Sequence, residues 1–280
     1  MAKNLNLKLF SINVSDEYLE IVKNPKHGYG SNMNPCIDCR ILLFKKAKEI
    51  MQKEGASFVI TGEVLGQRPM SQKLNTMRLI EKEADLEGLV LRPLSAKLLG
   101  PTIPEKEGWI ARDKLLAIVG RSRKEQIALA CELGINDYPC PSGGCLLTDP
   151  EFSRRLKDLM KHDTFNLDNI QLLKVGRHFR LSNTSKLVVG RNEKENERIL
   201  NLALENDYLF IPLSIAGPTA LGRGIFNEEL IRISGGITSR YCDINDNSVV
   251  EIAYKKVPQQ EDMLLKASPI EDSRLRELRI

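Results

Sequence analysis

The stretch of sequence that decides the fold of the first half runs over residues 58–67 and reads FVITGEVLGQ. Its first four residues are aromatic or β-branched, which is typical of a short buried strand. The strand ends at Gly62, and Glu63 and Gln67 follow in a loop. A phosphate or a nucleotide would fit beside such a loop, but many ordinary turns have the same composition. This stretch alone therefore does not identify a ligand.

The same alternation of short strands and helices extends in both directions from this stretch. Strands are predicted at residues 7–14 and 89–91, and helices at residues 40–53, 72–84, 114–119 and 124–133. The pattern predicts an α/β fold with a parallel sheet flanked by helices. Ligands bind beyond the carboxyl ends of the strands in such sheets. Gly62-Glu63 and Arg92-Pro93 both stand at such ends.

The pattern changes after Asp149-Pro150, which places a domain boundary at about residues 150–165. Helices are predicted beyond it at residues 152–160 and 193–204, and strands at residues 170–175, 186–189, 208–211, 215–221 and 249–253. This mixture indicates a smaller α+β domain. We therefore divide the chain into a first domain at residues 1–150 and a second domain at residues 165–280.

The composition is that of a globular protein outside the membrane. The 280 residues include 41 Lys and Arg against 37 Asp and Glu, a net charge of +4. Such a charge permits local nucleic-acid-binding patches without requiring them. No apolar run approaches the roughly 20 residues that span a bilayer, and the first residues lack the apolar core of a secretion signal. We therefore expect a cytoplasmic protein.

Six cysteines in a protein of this kind favour metal binding or redox chemistry over disulfides. Cys36 and Cys39 form a Cys-x-x-Cys pair at a predicted loop-to-helix junction, where backbone N–H groups and the helix dipole stabilise thiolates. Cys145 follows a glycine-rich stretch that leaves room for a third thiolate to approach. Three such ligands would leave one corner of a four-iron cluster open for sulfur or substrate. The alternatives are a thioredoxin-like redox pair and a structural half-site for zinc.

Two Ser-Gly-Gly sequences, at residues 142–144 and 234–236, imitate the phosphate-binding loop Ser-Gly-Gly-x-Asp-Ser of ATP-pyrophosphatases. Such a loop needs a buried strand before it and a helix after it, so that backbone N–H groups can surround the phosphate. The second sequence follows a predicted helix at residues 228–233 and has Thr238 where the aspartate belongs. Neither sequence is therefore expected to be a phosphate loop.

The remaining polar residues indicate little by themselves. His27, His162 and His178 lack the spacing of a catalytic triad or a metal site, so each is expected to be a surface or core histidine. Four basic residues lie on or directly after the predicted helix at residues 152–160: Arg154, Arg155, Lys157 and Lys161. Such clusters are usually only solvated, but they can also follow a phosphate backbone.

Five motifs occur in order along the first half of the chain. They are NPCIDC at residues 34–39, TGEVLGQ at 61–67, Ser71-Gln72, LRPL at 91–94 and PSGGC at 141–145. Together, over about residues 5–150, they resemble the tRNA 4-thiouridine synthase and tRNA 2-thiouridylase group of PP-loop ATP-pyrophosphatases. The resemblance implies a fold of the adenine-nucleotide alpha-hydrolase type. It also implies thiolation of a tRNA uridine, in which ATP and Mg²⁺ serve to adenylate the uridine oxygen and sulfur then replaces it.

The same resemblance implies roles for particular residues. The implied catalytic residues, which are also the implied ligands of a 4Fe-4S cluster, are Cys36, Cys39 and Cys145. The implied nucleotide contacts are Gly62, Glu63 and Gln67. A sulfur-donor protein is implied as a partner, and a homo-oligomer is compatible with the family. The PP-loop of the family belongs ahead of the strand predicted at residues 7–14. We therefore expect a fold truncated at its first unit, and ATP activation only where that loop is supplied.

Short motifs in the second half point to RNA. They are Val189-Gly190-Arg191-Asn192, Glu195-Asn196, Gly217-Pro218 and Ser239-Arg240-Tyr241. Over about residues 165–280 they resemble the RNA-binding domain of the NFACT proteins, which implies tRNA as a partner. Six basic residues are the predicted phosphate contacts: Arg177, Arg180, Lys186, Arg191, Lys194 and Arg198. The sequence thus predicts tRNA uridine thiolation. The alternative is a non-catalytic RNA-binding or partner protein that retains a structural metal or cluster site.

Overall fold

The computed structural model describes the chain apart from residues 1, 4, 136, 139–143, 245–247 and 260. The chain divides into two compact units, Met1–Thr148 and Asp149–Ile280. Each unit has its own sheet and its own hydrophobic core. Within the described residues, no helix is both long enough and apolar enough to cross a membrane.

The first unit combines helices with a small parallel sheet. Its described elements are helices α1 (Ser15–Lys23), α2 (Cys36–Lys53), α3 (Leu74–Glu83), α4 (Ile103–Lys106) and α5 (Lys124–Glu132) and strands β1 (Val59–Ile60) and β2 (Val90–Leu91). The two strands pair in parallel, with Val59 opposite Val90 and Ile60 opposite Leu91. The helices predicted at 40–53, 72–84 and 124–133 and the strands predicted at 58–61 and 89–91 are thus confirmed.

The core of this unit explains why α2 and α3 form where they do. Ile41 and Phe44 lie three residues apart on α2, so they share one face of the helix. They pack against Ile80 and Ala84 of α3 and against Val90 of β2. Burial of one such large apolar side chain contributes about 1.5–3 kcal/mol. This apolar stripe orients α2 and thereby fixes the position of its first turn.

The strand predicted at residues 7–14 is wrong. These residues form no strand, and the side chains of Leu7 and Leu9 are 62% and 77% exposed. An alternating apolar pattern gives a strand only where a neighbouring chain segment supplies hydrogen bonds. The nearest regular element is instead α1, which the sequence reasoning did not predict.

The helix predicted at residues 114–119 is also wrong. A short 3₁₀ turn ends at Lys114, and the segment after it pairs with a distant part of the chain. The Leu116 N–H donates to the Pro93 carbonyl at 2.8 Å, and the Ile118 N–H donates to the Leu94 carbonyl at 2.8 Å. These long-range hydrogen bonds use the donors that a local helix would have needed.

The second unit is built on a six-stranded antiparallel sheet. Its described helices are α6 (Pro150–His162), α7 (Leu167–Leu172), α8 (Glu193–Asn201), α9 (Glu228–Arg240) and α10 (Asp272–Leu278). Its described strands are β3 (Arg177–Ser182), β4 (Ser185–Val189), β5 (Tyr208–Pro212), β6 (Ala220–Gly224), β7 (Val250–Lys256) and β8 (Met263–Ala267). The strand order is β3-β4-β6-β5-β7-β8. The chain is thus a mixed α/β protein with a small parallel sheet in one unit and an antiparallel sheet in the other.

Several boundaries in the second unit differ from the sequence prediction. The strand predicted at residues 170–175 is wrong, because helix α7 covers its first half and a turn covers the rest. The Asn166 side chain accepts a hydrogen bond from the Asn169 N–H at 3.0 Å, which is a strong helix start. Strands β3 and β8 and helix α10 were not predicted, and the strand predicted at residues 215–221 covers only the beginning of β6.

The Ser-Gly-Gly sequence at residues 234–236 lies in the middle of α9. The Ser234 hydroxyl donates to the Leu230 carbonyl at 2.7 Å, one helical turn back. A Cβ atom on Gly235 would overlap the Leu265 side chain, so this glycine lets the helix approach β8 closely. The expectation that this sequence is not a phosphate loop is confirmed. The other Ser-Gly-Gly sequence falls mainly on residues 142 and 143, outside the described residues.

Candidate functional site

The Cys-x-x-Cys pair occupies the first turn of α2. Cys36 is the first residue of the helix, and the Cys39 N–H donates to the Pro35 carbonyl at 2.9 Å. Both thiols are half-buried. The pair therefore stands at the positive end of the helix dipole, which stabilises thiolates. The apolar stripe of α2 holds this turn in place.

Cys145 is attached to the same site by the turn that follows it. The Thr148 hydroxyl donates to the Cys145 carbonyl at 2.6 Å, which closes the turn. The Met33 N–H donates to the Leu147 carbonyl at 3.1 Å, and the Asn32 side-chain amide donates to the Thr148 carbonyl at 2.8 Å. These two bonds hold the turn against the loop that precedes α2.

Cys36 and Cys145 lie close enough to Cys39 to affect its ionisation. Burial raises the pKa of Cys39, and Cys36 and Cys145 raise it further. A hydrogen bond with the Tyr18 hydroxyl and the charge of Arg40 lower that pKa. Burial also raises the pKa of Tyr18, and Cys39 and Cys145 add to this effect. Cys36 and Cys145 therefore lie within electrostatic range of Cys39, and Tyr18 joins them, a residue that sequence reasoning missed because α1 was not predicted.

The donors of this site have the chemistry of iron–sulfur ligands. Among the described residues, no group of three His, Cys, Asp or Glu side chains is placed to hold a metal ion. Thiolates around one zinc ion all lie about 2.3 Å from it. The cysteines of a four-iron cluster bind different iron atoms and stand farther apart. Three thiols are a donor set that both kinds of group use.

A buried ionic network lies beside the cysteines at the carboxyl ends of β1 and β2. Glu63 is 3% exposed, and it pairs with Arg40 through one carboxylate oxygen and with Arg92 through the other, at 2.9 Å. Arg92 also pairs with Glu81. Because Arg40 directly follows Cys39, this network holds a positive charge next to the thiols.

The three predicted nucleotide contacts have different surroundings. Gly62 is exposed at the end of β1, whereas Glu63 is buried in the ionic network. The Gln67 side-chain amide donates to the Gln126 side chain of α5 at 2.7 Å. The structure therefore brings Gly62 and Glu63 to the strand ends beside Arg92, as predicted for Gly62-Glu63 and Arg92-Pro93, while Gln67 is engaged with α5.

The RNA-binding motif of the second unit forms the loop before α8 and its first turn. The Asn192 side chain caps the helix by accepting from the Glu195 N–H at 3.0 Å. The Glu195 carboxylate accepts from the Arg191 backbone at 3.0 Å and from its side chain at 3.1 Å. A Cβ atom on Gly190 would overlap the Asn196 side-chain oxygen, which explains the glycine there. The motif thus fixes both the backbone and the side chain of Arg191.

Among the six predicted RNA contacts, Arg191, Lys194 and Arg198 are exposed, and Arg177 is partly exposed. The Arg177 guanidinium lies over the Tyr241 ring at 4.4 Å. Both side chains line a pocket of about 340 Å³ together with Arg191 and Asn192. Aromatic rings and guanidinium planes are the groups on which unpaired RNA bases stack. This pocket, the Tyr241 pocket, therefore combines stacking surfaces with positive charge.

The other two predicted RNA contacts, Arg180 and Lys186, serve the interior of the unit. Lys186 is 1% exposed, and its Nζ atom lies 3.1 Å from the Asp163 carboxylate. Arg180 pairs with the same carboxylate at 2.8 Å and with Asp158 at 2.5 Å. The charges of both residues are therefore balanced by carboxylates of the same unit, and their contact with RNA stays a prediction. The sequence alone does not distinguish a buried, ion-paired lysine from an exposed one.

Comparisons with known proteins divide the chain in the same way. A search of curated proteins finds no match. The C-terminal part of the fibronectin/fibrinogen-binding protein of Streptococcus suis is similar with a TM-score of 0.34 and 11% identity, over 95% of this chain and 97% of that chain. At that score the likeness supports no statement about fold or function. Residues 2–97 match the family of thiamine biosynthesis protein (ThiI), and residues 176–279 match the family of the NFACT protein RNA binding domain, which confirms both resemblances read from the sequence.

Proposed function

We propose that this chain binds tRNA through its second unit and takes part in uridine thiolation through the cysteines of its first unit. The observation that carries the proposal is that Cys36, Cys39 and Cys145 are all half-buried and lie within electrostatic range of Tyr18. The two family matches support tRNA modification and RNA binding in the corresponding segments. The cysteines are proposed as the ligands of a 4Fe-4S cluster and as the catalytic residues.

When bound, a 4Fe-4S cluster with three cysteine ligands supplies one iron that is open to sulfur or substrate. The chain's own residues prepare the thiols for such binding. Cys36 and Cys39 lie at the positive end of the α2 dipole. The pKa of Cys39 is raised overall by burial and by the neighbouring thiols, and the Tyr18 hydroxyl and the Arg40 guanidinium limit this rise. Glu63 positions Arg40 for this purpose.

The proposed nucleotide contacts, Gly62, Glu63 and Gln67, do not by themselves form a phosphate cradle. Glu63 and Gln67 are engaged with other side chains, and the backbone donors of residues 234–236 belong to helix α9. We therefore propose that ATP and Mg²⁺ act with this chain only when a phosphate loop is supplied. A sulfur-donor protein would then provide the atom that replaces the adenylated oxygen.

Anaerobic reconstitution of the full chain with iron and sulfide tests the cluster. The wild-type protein should show broad visible absorbance and contain iron and sulfide in proportion. Cys145→Ala should lose both, because it removes one of three ligands. Cys131→Ala is the matched control, since it removes an exposed thiol on α5. Full cluster occupancy in the Cys145→Ala protein would contradict the assignment.

Thiolation itself is tested by mass spectrometry of tRNA nucleosides. The reconstituted chain is incubated with tRNA, ATP, a sulfur source and a separately supplied phosphate-loop segment. Formation of thiouridine that is lost in Cys39→Ala supports the enzyme. If the chain holds a cluster and binds tRNA but forms no thiouridine, the non-catalytic RNA-binding protein with a structural cluster becomes the better description.

A further inference from the structure

A second pocket of the RNA-binding unit, about 320 Å³ in volume, collects basic side chains from distant parts of the chain. Arg155 of α6, Arg177 of β3, Arg191 before α8 and Arg279 after α10 all line it. His178 lies at the same pocket. We call it the arginine pocket. Of its four arginines, Arg155 and Arg279 were not among the predicted RNA contacts.

Backbone pairing brings the end of the chain to this pocket. Phe179 forms an antiparallel bridge with Arg279, beside the outer strand β3. The Ile280 N–H donates to the His178 carbonyl at 3.0 Å. The Arg279 side chain is therefore held beside β3 by main-chain bonds that do not involve its own charge.

Arg155 is positioned in a similar way. Its guanidinium donates to the Leu173 carbonyl at 2.8 Å and to the Glu151 carbonyl at 3.1 Å. Carbonyl groups orient a guanidinium but do not neutralise it. The Glu151 carboxylate also lines the pocket, but it pairs with Arg154 at 2.6 Å. The charge of Arg155 thus stays available to a ligand.

The positive charges of the pocket are incompletely balanced. In the part of the chain that the structure describes, neither Arg155, Arg177 nor Arg279 forms an ion pair with a carboxylate, whereas Arg191 pairs with Glu195 at 3.1 Å. Burial, and after it the charge of Arg191, lowers the pKa of Arg155, and the charges of Asp149 and Glu151 only partly offset this. Like charges therefore face each other here, and an anion between them would relieve their repulsion.

His178 adds an unsatisfied polar group at the same place. It is 1% exposed, and its Nε2 atom donates to the Val175 carbonyl at 2.8 Å. Its Nδ1 atom is buried and has no hydrogen-bond partner among the described residues. Burial, followed by the charge of Arg155, lowers the pKa of His178 to about 3. The ring is thus neutral, mainly because it is buried and in part because arginines lie around it.

We propose that the arginine pocket binds a phosphate group of the RNA, with Arg155, Arg177, Arg191 and Arg279 as its donors. This inference rests on the proposed RNA binding of the second unit and deepens it. Guanidinium groups bind phosphate oxygens through paired N–H donors. A terminal phosphate carries a charge of about −1.5 to −2, and an internal phosphodiester carries a single negative charge. Both present the same chemistry to the arginines.

The neighbouring Tyr241 pocket favours RNA over a free phosphate ion. Arg177 and Arg191 line both pockets, so the two sites adjoin each other. A nucleotide whose phosphate lies in the arginine pocket would have its nucleoside directed to Tyr241, where stacking is available. The polar side chain of Asn192 lies in that second pocket as well.

Substitution of Arg155 by Gln in the full chain tests the proposal. Binding is measured by fluorescence anisotropy with tRNA that carries its 5′-phosphate and with the same tRNA after enzymatic dephosphorylation. Arg155→Gln should weaken binding of the phosphorylated tRNA about tenfold or more, as expected for a lost charge-assisted hydrogen bond. The slope of log affinity against log salt should fall by about one. Lys157→Gln is the control, because Lys157 is exposed on the same helix but does not line the pocket.

The two RNAs identify which phosphate is bound. If dephosphorylation weakens wild-type binding and Arg155→Gln no longer distinguishes the two RNAs, the occupant is the terminal phosphate. If Arg155→Gln weakens both RNAs equally, the occupant is an internal phosphate. Arg279→Gln repeats the test at a residue whose side chain makes no internal ion pair in the described structure. Wild-type affinity for both RNAs in both variants would overturn the proposal.

Failure of RNA binding as such is distinguishable from failure of the pocket. If the wild-type chain binds no tRNA at low salt, the proposed function of the second unit is wrong. Calorimetric titration with inorganic pyrophosphate then tests the pocket independently. Binding that is lost in Arg155→Gln would support the anion site, and equal or absent binding in the two proteins would overturn it.

Discussion

Replacement of Asp163 by Asn tests whether Lys186 is a structural residue. Lys186 is buried, and its Nζ atom lies 3.1 Å from the Asp163 carboxylate. The same carboxylate pairs with Arg180 at 2.8 Å, but Arg180 also has Asp158 at 2.5 Å. Asparagine keeps the size of the side chain and removes its charge. The substitution therefore leaves Lys186 without a counter-charge while Arg180 stays paired.

The expected cost follows from two independent estimates. Removal of one partner of a buried ion pair typically costs about 3–5 kcal/mol. Lys186 can also lose its proton and become neutral. From an ordinary pKa of about 10.4, deprotonation at pH 7 costs about 4.6 kcal/mol, which sets an upper limit on the cost of the unpaired charge. For a unit of this size, roughly 3–4 °C corresponds to each kcal/mol. The unfolding midpoint of the second unit should thus fall by roughly 9–18 °C.

The substitution should also change how stability depends on pH. Burial raises the pKa of Asp163, but Arg180 and Lys186 lower it more, so its net pKa is below the ordinary value. Its stabilisation in the wild type is present above the ordinary carboxyl pKa and is lost as pH falls through the lower folded pKa. Burial lowers the pKa of Lys186, and Asp163 is the group that raises it. Without the Asp163 charge, the pKa of Lys186 should fall further. The variant should therefore gain stability as pH rises from 7 towards the ordinary lysine pKa.

Thermal unfolding followed by circular dichroism at pH 7 and pH 9 measures both effects. Lys186→Met is the matched variant, because it removes the buried ammonium and leaves Asp163 paired with Arg180. It should cost much less than Asp163→Asn and should leave tRNA affinity unchanged. A midpoint for Asp163→Asn within about 2 °C of the wild type would refute the energetic reasoning. Weaker tRNA binding by a folded Lys186→Met protein would restore Lys186 as an RNA contact.

Three further outcomes are expected. Arg191→Ala should weaken binding to many RNAs alike, because we expect Arg191 to contact an RNA phosphate and no base. The slope of log affinity against log salt concentration should fall by about 0.7–0.9, which binding titrations at several salt concentrations measure. Calorimetry should detect weak or no ATP binding by the 280-residue chain, because the Ser-Gly-Gly donors at residues 234–236 are used inside α9; tight binding would contradict this. The imidazole of His178 should show no titration by NMR between pH 5 and 8, because its folded pKa is about 3. Its contribution to stability is present above the ordinary histidine pKa and decreases as pH falls below it.

The elements that the sequence predicted correctly are those with a strong local signal. The apolar spacing of Ile41 and Phe44 places α2, and the run at residues 58–61 places β1. The position of the Cys-x-x-Cys pair at a helix start follows from the same pattern. Segments whose partners are distant were predicted poorly. Residues 114–119 have a helical composition, yet their backbone donors bond to residues 93 and 94.

The same difference separates the predicted from the unpredicted residues of the RNA-binding unit. Arg191 belongs to a motif that caps a helix locally, so its role is visible in the sequence. Lys186 has the same charge, but its burial depends on how β4 packs against the segment that carries Asp163. Arg155 belongs to no recognisable motif. It lines the arginine pocket only because α6 lies close to β3 in the folded unit.

Both candidate sites depend on hydrogen bonds between segments that are far apart in sequence. Cys145 reaches Cys36 because the Met33 N–H bonds to the Leu147 carbonyl. Arg279 reaches Arg177 because its backbone pairs beside β3. In each case the sequence identifies reactive or charged residues, while main-chain pairing decides which of them share a site. Main-chain hydrogen bonds therefore decide which cysteines and arginines of this chain lie in one site. Substitutions that break these hydrogen bonds should impair a site even when all of its side chains are unchanged.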